Sequence, residues 1–103
     1  MVRLTILYPQ TADSRFDLAY YLDTHIPLVK ERLMPLGLLA VDLQQGLSGA
    51  TPDAPPTYAM ITGLVFDSAE QLGAVMGTHG AELLGDIPNF TDAQPLSQVT
   101  RVL

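Results

Sequence analysis

Four segments of this chain are almost free of charge, and that limits what they can build. They are residues 2–8 (VRLTILY), 38–47 (LLAVDLQQGL), 57–66 (TYAMITGLVF) and 95–103 (PLSQVTRVL). Only Arg3, Asp42 and Arg101 among them are ionised, although the chain carries eleven acidic and five basic residues. These apolar, often β-branched or aromatic runs lie between Pro, Gly and polar clusters, so each is predicted to be a strand. A strand with one wet face should alternate apolar with polar residues. Leu38 to Val41 and Ala59 to Ile61 instead place apolar groups on both faces.

Two helical patterns separate the strands. From Phe16 the apolar positions Ala19, Tyr20, Leu22 and Ile26 recur at helical spacing, and Ser14 with Asp17 resembles a capping box. Pro27 must disturb this helix, because proline removes a backbone donor and its ring clashes with the preceding turn. Thr24 is placed to cap a second piece, with Pro27 in its first turn, running to Met34 and stopping before Pro35-Leu36-Gly37. The second helix starts at Asp67 or Ser68, with Glu70 and Gln71 three residues on, and runs to Leu84 before Gly85 and Pro88. Ser48 to Pro56 is a loop by composition.

The order is β-α-β-β-α-β over a single domain, residues 1–103. It predicts an α+β fold of the split-βαβ kind, a four-stranded antiparallel sheet with two helices on one face. The other face would span roughly 500 Å², from ~4.8 Å strand spacing and ~3.3 Å rise over about eight residues. That is at the upper end of the apolar patch a monomer exposes. A second copy, sheet to sheet, is the simplest cover, so a homodimer is expected.

Charge and composition exclude several classes. The net charge of −6 offers no basic patch to neutralise phosphates, which argues against nucleic acid and anionic lipid. Cysteine is absent, so there is no thiol nucleophile, disulfide or thiolate metal site. No run approaches the ~18 apolar residues of a membrane span, and MVRLTILYP has no signal-peptide architecture, so a cytoplasmic protein is expected. Gly77-Thr78-His79-Gly80 lies inside a helical pattern and does not follow a strand, so it is no dinucleotide turn. His25 and His79 are far apart in sequence and lack nearby ligand spacing, so neither metal nor cofactor is expected.

His25 is the leading catalytic candidate, because a neutral imidazole takes or gives a proton near neutral pH without special tuning. Breaking the helical ladder at Pro27 frees carbonyls around residues 22–24 and swings His25 off the regular helical face. Alternatively, its ring binds one of those carbonyls and stitches the kink. Tyr8 and Tyr20 are weaker ligand-binding candidates at a pocket mouth, against a core role as aromatics. His79 is either a second acid/base on the same pocket or a half-exposed helix residue. Asp92 is either a carboxylate of the site or an Asx turn before Pro95. Arg3 and Arg101 either pair with Asp42 across the dimer or anchor an anionic substrate.

Three motifs then stand together: H-x-P-L (His25, Pro27, Leu28), a strand entering F-D-S-A-E (66–70), and P-N-F-T-D-x-x-P (88–95). With the flanking FDLAYYLDTHIPLV and GAELLGDIPNFTDAQP, the whole chain resembles the EthD-like family, named after an accessory protein of ethyl tert-butyl ether degradation. The resemblance implies a ferredoxin-like protomer that pairs through its sheet into a dimeric α+β barrel. The wider family includes a lactone methyl-isomerase and fungal enzymes that decarboxylate or dehydrate polyketide-derived aromatic rings. In the isomerase the histidine of this motif is associated with the active site, which carries over to His25 alone. A cysteine also takes part there; this chain has none, so that same reaction is not expected. What is implied is binding, and acid–base transformation without a cofactor, of a small hydrophobic, cyclic or aromatic metabolite. The alternative is a non-catalytic accessory or carrier protein of a catabolic operon.

Overall fold

The computed structural model describes all residues, Met1–Leu103. Strands β1 (Val2–Pro9), β2 (Ala40–Gln45), β3 (Tyr58–Phe66) and β4 (Leu96–Arg101) form one antiparallel sheet in the order β2-β3-β1-β4. This is the ferredoxin-like topology that the element order predicts. Leu64 lies opposite Leu4 on one side and Val41 on the other, and Leu4 in turn faces Val99. That register sets the faces, because successive side chains alternate across a sheet. Tyr8, Met60, Thr62, Leu64 and Phe66 all point to the helices and are buried.

Three strands are shorter than their sequence suggests, β3 by Thr57 alone. Leu38 and Leu39 precede β2, because the chain must first turn through Gly37 at φ 112. That angle favours glycine, and a Cβ there would lie 1.9 Å from Nε2 of Gln71, so another residue would be strained and would displace the end of the Gln71 side chain. Leu38 then drops into the core beneath the helices.

The first helix, α1, is continuous through the proline. It is α-helical over Leu18–Tyr20, π-helical over Tyr21–His25 and α-helical again over Ile26–Leu33. Two expectations are corrected here. Its cap is Asp17, whose carboxylate accepts the Tyr20 N–H at 3.0 Å. Ser14 instead closes a local turn with Thr11, because Phe16 is held out of the helix in a β-bridge to Thr91. Nor does Thr24 cap a second piece, since the π turn absorbs the proline without breaking the helix. The second helix, α2, spans Ala69–Asp86 and is capped by Ser68, which accepts the Gln71 N–H at 3.2 Å.

The core has two parts. One joins Val29 and Leu33 of α1 to Leu72, Val75 and Leu83 of α2 over Leu64 and Phe66. The other is mainly aromatic, with Tyr8, Tyr21 and Phe90 around Ile26, Met60 and Ile87. The opposite, open face of the sheet carries Thr5, Leu7, Ile61, Val65, Leu96 and Gln98. It is uncharged rather than uniformly apolar, apart from Arg3 and Asp42. These two pair within the chain, Nη1 to Oδ2 at 2.7 Å, and not across a dimer as the sequence suggests, because both project from the same face. Arg101 points to the other face, toward the helices. No helix is long and apolar enough to cross a membrane.

Candidate functional site

Pro27 organises the region around His25. In a regular α-helix its nitrogen would donate to the Asp23 carbonyl, and its ring would clash there. The chain avoids both by bonding the Ile26 N–H to the Tyr21 carbonyl, five residues back. In an α-helix residues five apart point roughly 140° away from one another. A π turn, with its i→i+5 bonds, brings them nearly into line. Tyr20 and His25 therefore project to one side, and both reach Asp86 at the end of α2.

The Asp86 carboxylate is the hub. Oδ1 accepts the Tyr20 hydroxyl at 2.7 Å and the Asn89 amide at 2.9 Å, and Oδ2 is 2.8 Å from Nδ1 of His25. Burial alone would raise the pKa of Asp86. The bonds from Tyr20, Asn89 and His25, with the attraction of a protonated His25, outweigh it and hold the carboxyl below its ordinary value. Asp86 is thus an anion at neutral pH, which can only accept, so Nδ1 of His25 carries the proton and donates. Tyr20 is affected in the opposite sense. Its bond to Asp86 first, then burial and the carboxylate charge, raise its pKa.

His25 is 5% exposed. Its ring stacks on Tyr21 at 5.5 Å and meets Phe90 at 4.6 Å. Nε2 has no protein partner, yet Gln71 Oε1 is the only fully enclosed side-chain polar atom without one. Solvent therefore reaches Nε2. The result is an imidazole whose inner nitrogen is tied to Asp86 and whose outer nitrogen faces solvent, so the outer one is the position from which a proton can be taken or given.

The floor of the site is braced from below. Tyr21 places its hydroxyl against that of Thr62 on β3. Burial pushes the Tyr21 phenol up to about 12, although its bonds to Thr62 and Tyr8 work the other way. Burial, and then the Tyr21 hydroxyl, raise the Tyr8 phenol as well, so both stay protonated. The segment 15–17 zips onto 90–92: Asp17 N–H donates to the Phe90 carbonyl at 2.7 Å, and Arg15 N–H to Asp92 Oδ1 at 2.8 Å. This zip fixes the start of α1 beside the end of α2.

Of the candidates from sequence, the structure brings together His25 and Tyr20. Tyr8 is buried within the aromatic cluster and not at a pocket mouth. Asp92 is exposed, and its Oδ1 braces the chain at Arg15. His79 is half-buried on α2, seven residues before Asp86, which is about 10 Å along the axis. No hydrogen bond or ring contact joins it to His25. Asp86 and Asn89 complete the site and are not among the candidates; their only signal is the P-N-F stretch, of which Asn89 is the middle residue and which Asp86 precedes by two. Nowhere do three or more metal-ligating side chains converge.

Pro27→Ala tests the role of the π turn. With an N–H at position 27, the Asp23 carbonyl regains a donor and the turn tightens. Tyr20 and His25 should then no longer share Asp86, visible as a change in the His25 nitrogen-15 NMR shifts. Stability should fall by only about 0.5–1 kcal/mol, from added freedom in the unfolded chain.

The sheet order, the two helices on one face and this connectivity define a ferredoxin-like protein of the α+β-barrel class. An antibiotic biosynthesis monooxygenase shares the fold at 15% identity, with a TM-score of 0.52 over 100% of this chain and 99% of that one. Within the class, the chain belongs to the EthD family, whose domain it matches over residues 9–94. It is similar to an EthD-like protein from Ralstonia eutropha JMP134, 40% identical over 99% of this chain and 91% of that one, with a TM-score of 0.91. An ethyl tert-butyl ether degradation (EthD) family protein from Bacillus halodurans C-125 is 22% identical, covering 100% and 99%, with a TM-score of 0.77. Among curated proteins, none matches the sequence.

Proposed function

We propose that this EthD protein binds a small cyclic or aromatic molecule and transforms it by proton transfer at His25, without a cofactor. It works in the cytoplasm as a homodimer joined through the open sheet face. The observation that carries the chemistry is the Tyr20–Asp86–His25 chain, in which an anion holds the Nδ1 proton and leaves Nε2 to solvent. Isomerisation, decarboxylation and dehydration of ring compounds all require a proton to be taken from, or given to, carbon or oxygen. Support for the dimer comes from the uncharged face. Two such faces together bury about 1,000 Å², the size at which specific interfaces begin.

The test is His25→Ala against a panel of small aromatic acids and lactones, with binding read by ligand NMR and turnover by product analysis. In a variant that circular dichroism shows to be folded at the assay temperature, turnover should fall by roughly 10²–10⁴-fold. Equal turnover by the variant removes His25 from the mechanism.

A second reading has one observation in its favour: His25 lines none of the five cavities of the protomer. The His25–Asp86 pair would then be a stitch between α1 and α2 in a non-catalytic carrier or accessory protein of a catabolic operon. Native mass spectrometry separates the readings, because a stoichiometric protein partner with no bound small molecule sustains only the second.

A further inference from the structure

We infer that Gly63 is a seat for the Arg3 side chain, and that the Arg3–Asp42 pair lying across it is the element by which a second copy recognises the open sheet face. The inference rests on the homodimer proposed above and names the device that makes that interface specific.

The three residues sit on adjacent strands and on one face. Gly63 on β3 lies opposite Thr5 of β1 and Asp42 of β2, while Arg3 lies opposite Val65 one pleat along. To reach Asp42 the arginine must cross the whole of β3, two strand spacings or about 9.6 Å. It does so by lying flat, with Nη1 2.7 Å from Oδ2 of Asp42. A Cβ at residue 63 would stand 2.3 Å from Nε and 2.4 Å from Cζ of Arg3. Any other residue would lift the guanidinium off the sheet. Glycine inside a central strand weakens that strand and marks a place where another group approaches closely. Here the approaching group is the arginine.

The consequence is a face with no net charge and no protruding ion. Each chain carries −6, so copies repel at long range and can meet only through a surface that presents no like charge to its own image. The ion pair is complete within each protomer before association, and the side chains of Arg3 and Asp42 retain 26% and 40% exposure for a partner to cover. Surrounding it, Leu7, Ile61, Val65 and Leu96 supply apolar area and Thr5 and Gln98 neutral polar groups. Two faces of this size reach the ~1,000 Å² that a specific interface requires. A pair covered in this way contributes register more than affinity, but removing one member leaves a buried, unpartnered charge.

Sedimentation equilibrium at micromolar concentration, with circular dichroism as the control on folding, tests the assignment. Wild type is expected to be dimeric. Gly63→Ala should keep its fold, because only the flexible end of Arg3 must move, and should raise the dimer dissociation constant by roughly tenfold. Arg3→Met strands Asp42 beneath the partner and should raise it by roughly 100-fold. The double variant Arg3→Met/Asp42→Leu should return to within about tenfold of wild type, and it carries the test with Arg3→Met if Gly63→Ala does not fold. A dimeric wild type whose variants all associate equally tightly overturns the recognition role and leaves the dimer standing. A monomeric wild type overturns the dimer itself, and this inference with it.

Discussion

Phe90→Ala is expected to destabilise the protein by about 3–5 kcal/mol, the cost of truncating a fully buried aromatic whose surroundings cannot close over the void. The Phe90 side chain is completely enclosed. Its ring lies 5.0 Å from that of Tyr21 and 5.7 Å from that of Tyr8, so the cavity opens between β1 and α1. A domain has only about 5–15 kcal/mol of total stability. The urea midpoint should therefore fall steeply, to the point of partial unfolding without denaturant. Phe90→Leu keeps an apolar side chain and should lose less. It still removes the ring that meets His25 at 4.6 Å, so the imidazole NMR signals should move even though the fold survives. A midpoint for Phe90→Ala within error of wild type would contradict the structure of this cluster.

Asp86→Asn is expected to act on chemistry, and on stability only in a defined pH range. Asparagine presents one acceptor and one donor group where the aspartate accepted on both oxygens. Tyr20, Asn89 and His25 cannot all be satisfied, and the cost at neutral pH should be about 1–3 kcal/mol. The sign of its pH dependence follows from the depressed carboxyl. Its ordinary value is 3.8, and the folded state lies lower. The stabilisation is complete above the unfolded value and is lost as pH falls through the folded one, which lies below 3.8. Wild type and variant should thus converge in acid. An asparagine NH₂ facing Nδ1 also favours the other imidazole tautomer, with the proton on Nε2 and the base removed. Nitrogen-15 NMR reads that tautomer without any substrate. A turnover assay on compounds found with wild type should show a loss of roughly 10²–10⁴-fold. If Nε2 remains unprotonated in the variant, Asp86 does not set the tautomer.

The site was only half legible in the sequence. His25 and Tyr20 stand out as a titratable and a hydroxyl-bearing residue flanking a proline-disturbed turn. Asp86 does not, because an acidic residue near a helix end is ordinarily a solvated one. Its role comes from a contact with His25 across 61 residues of chain. Tyr8 shows the reverse error. Its place at the end of a strand suggests a pocket mouth, but the bridge between Phe16 and Thr91 closes the chain over it. Asp92 supports that closure by binding a distant backbone N–H, where its nearness to Pro95 suggests a local turn.

Sequence by itself decided the local events. A proline without an N–H at position 27 forces the helix to find another bonding pattern. Ser68 can accept from the first turn of a helix, and four nearly uncharged runs bounded by turn residues read as strands. Tertiary structure decided the partners. Strand order and register place Arg3, Gly63 and Asp42 on one face and Arg101 on the other, and the zip of 15–17 onto 90–92 carries His25 to Asp86. The reason is one of range. Caps and turns depend on neighbours within a few bonds, whereas a shared face or a buried carboxylate depends on which distant segments pair, and that is settled only when the whole chain has packed.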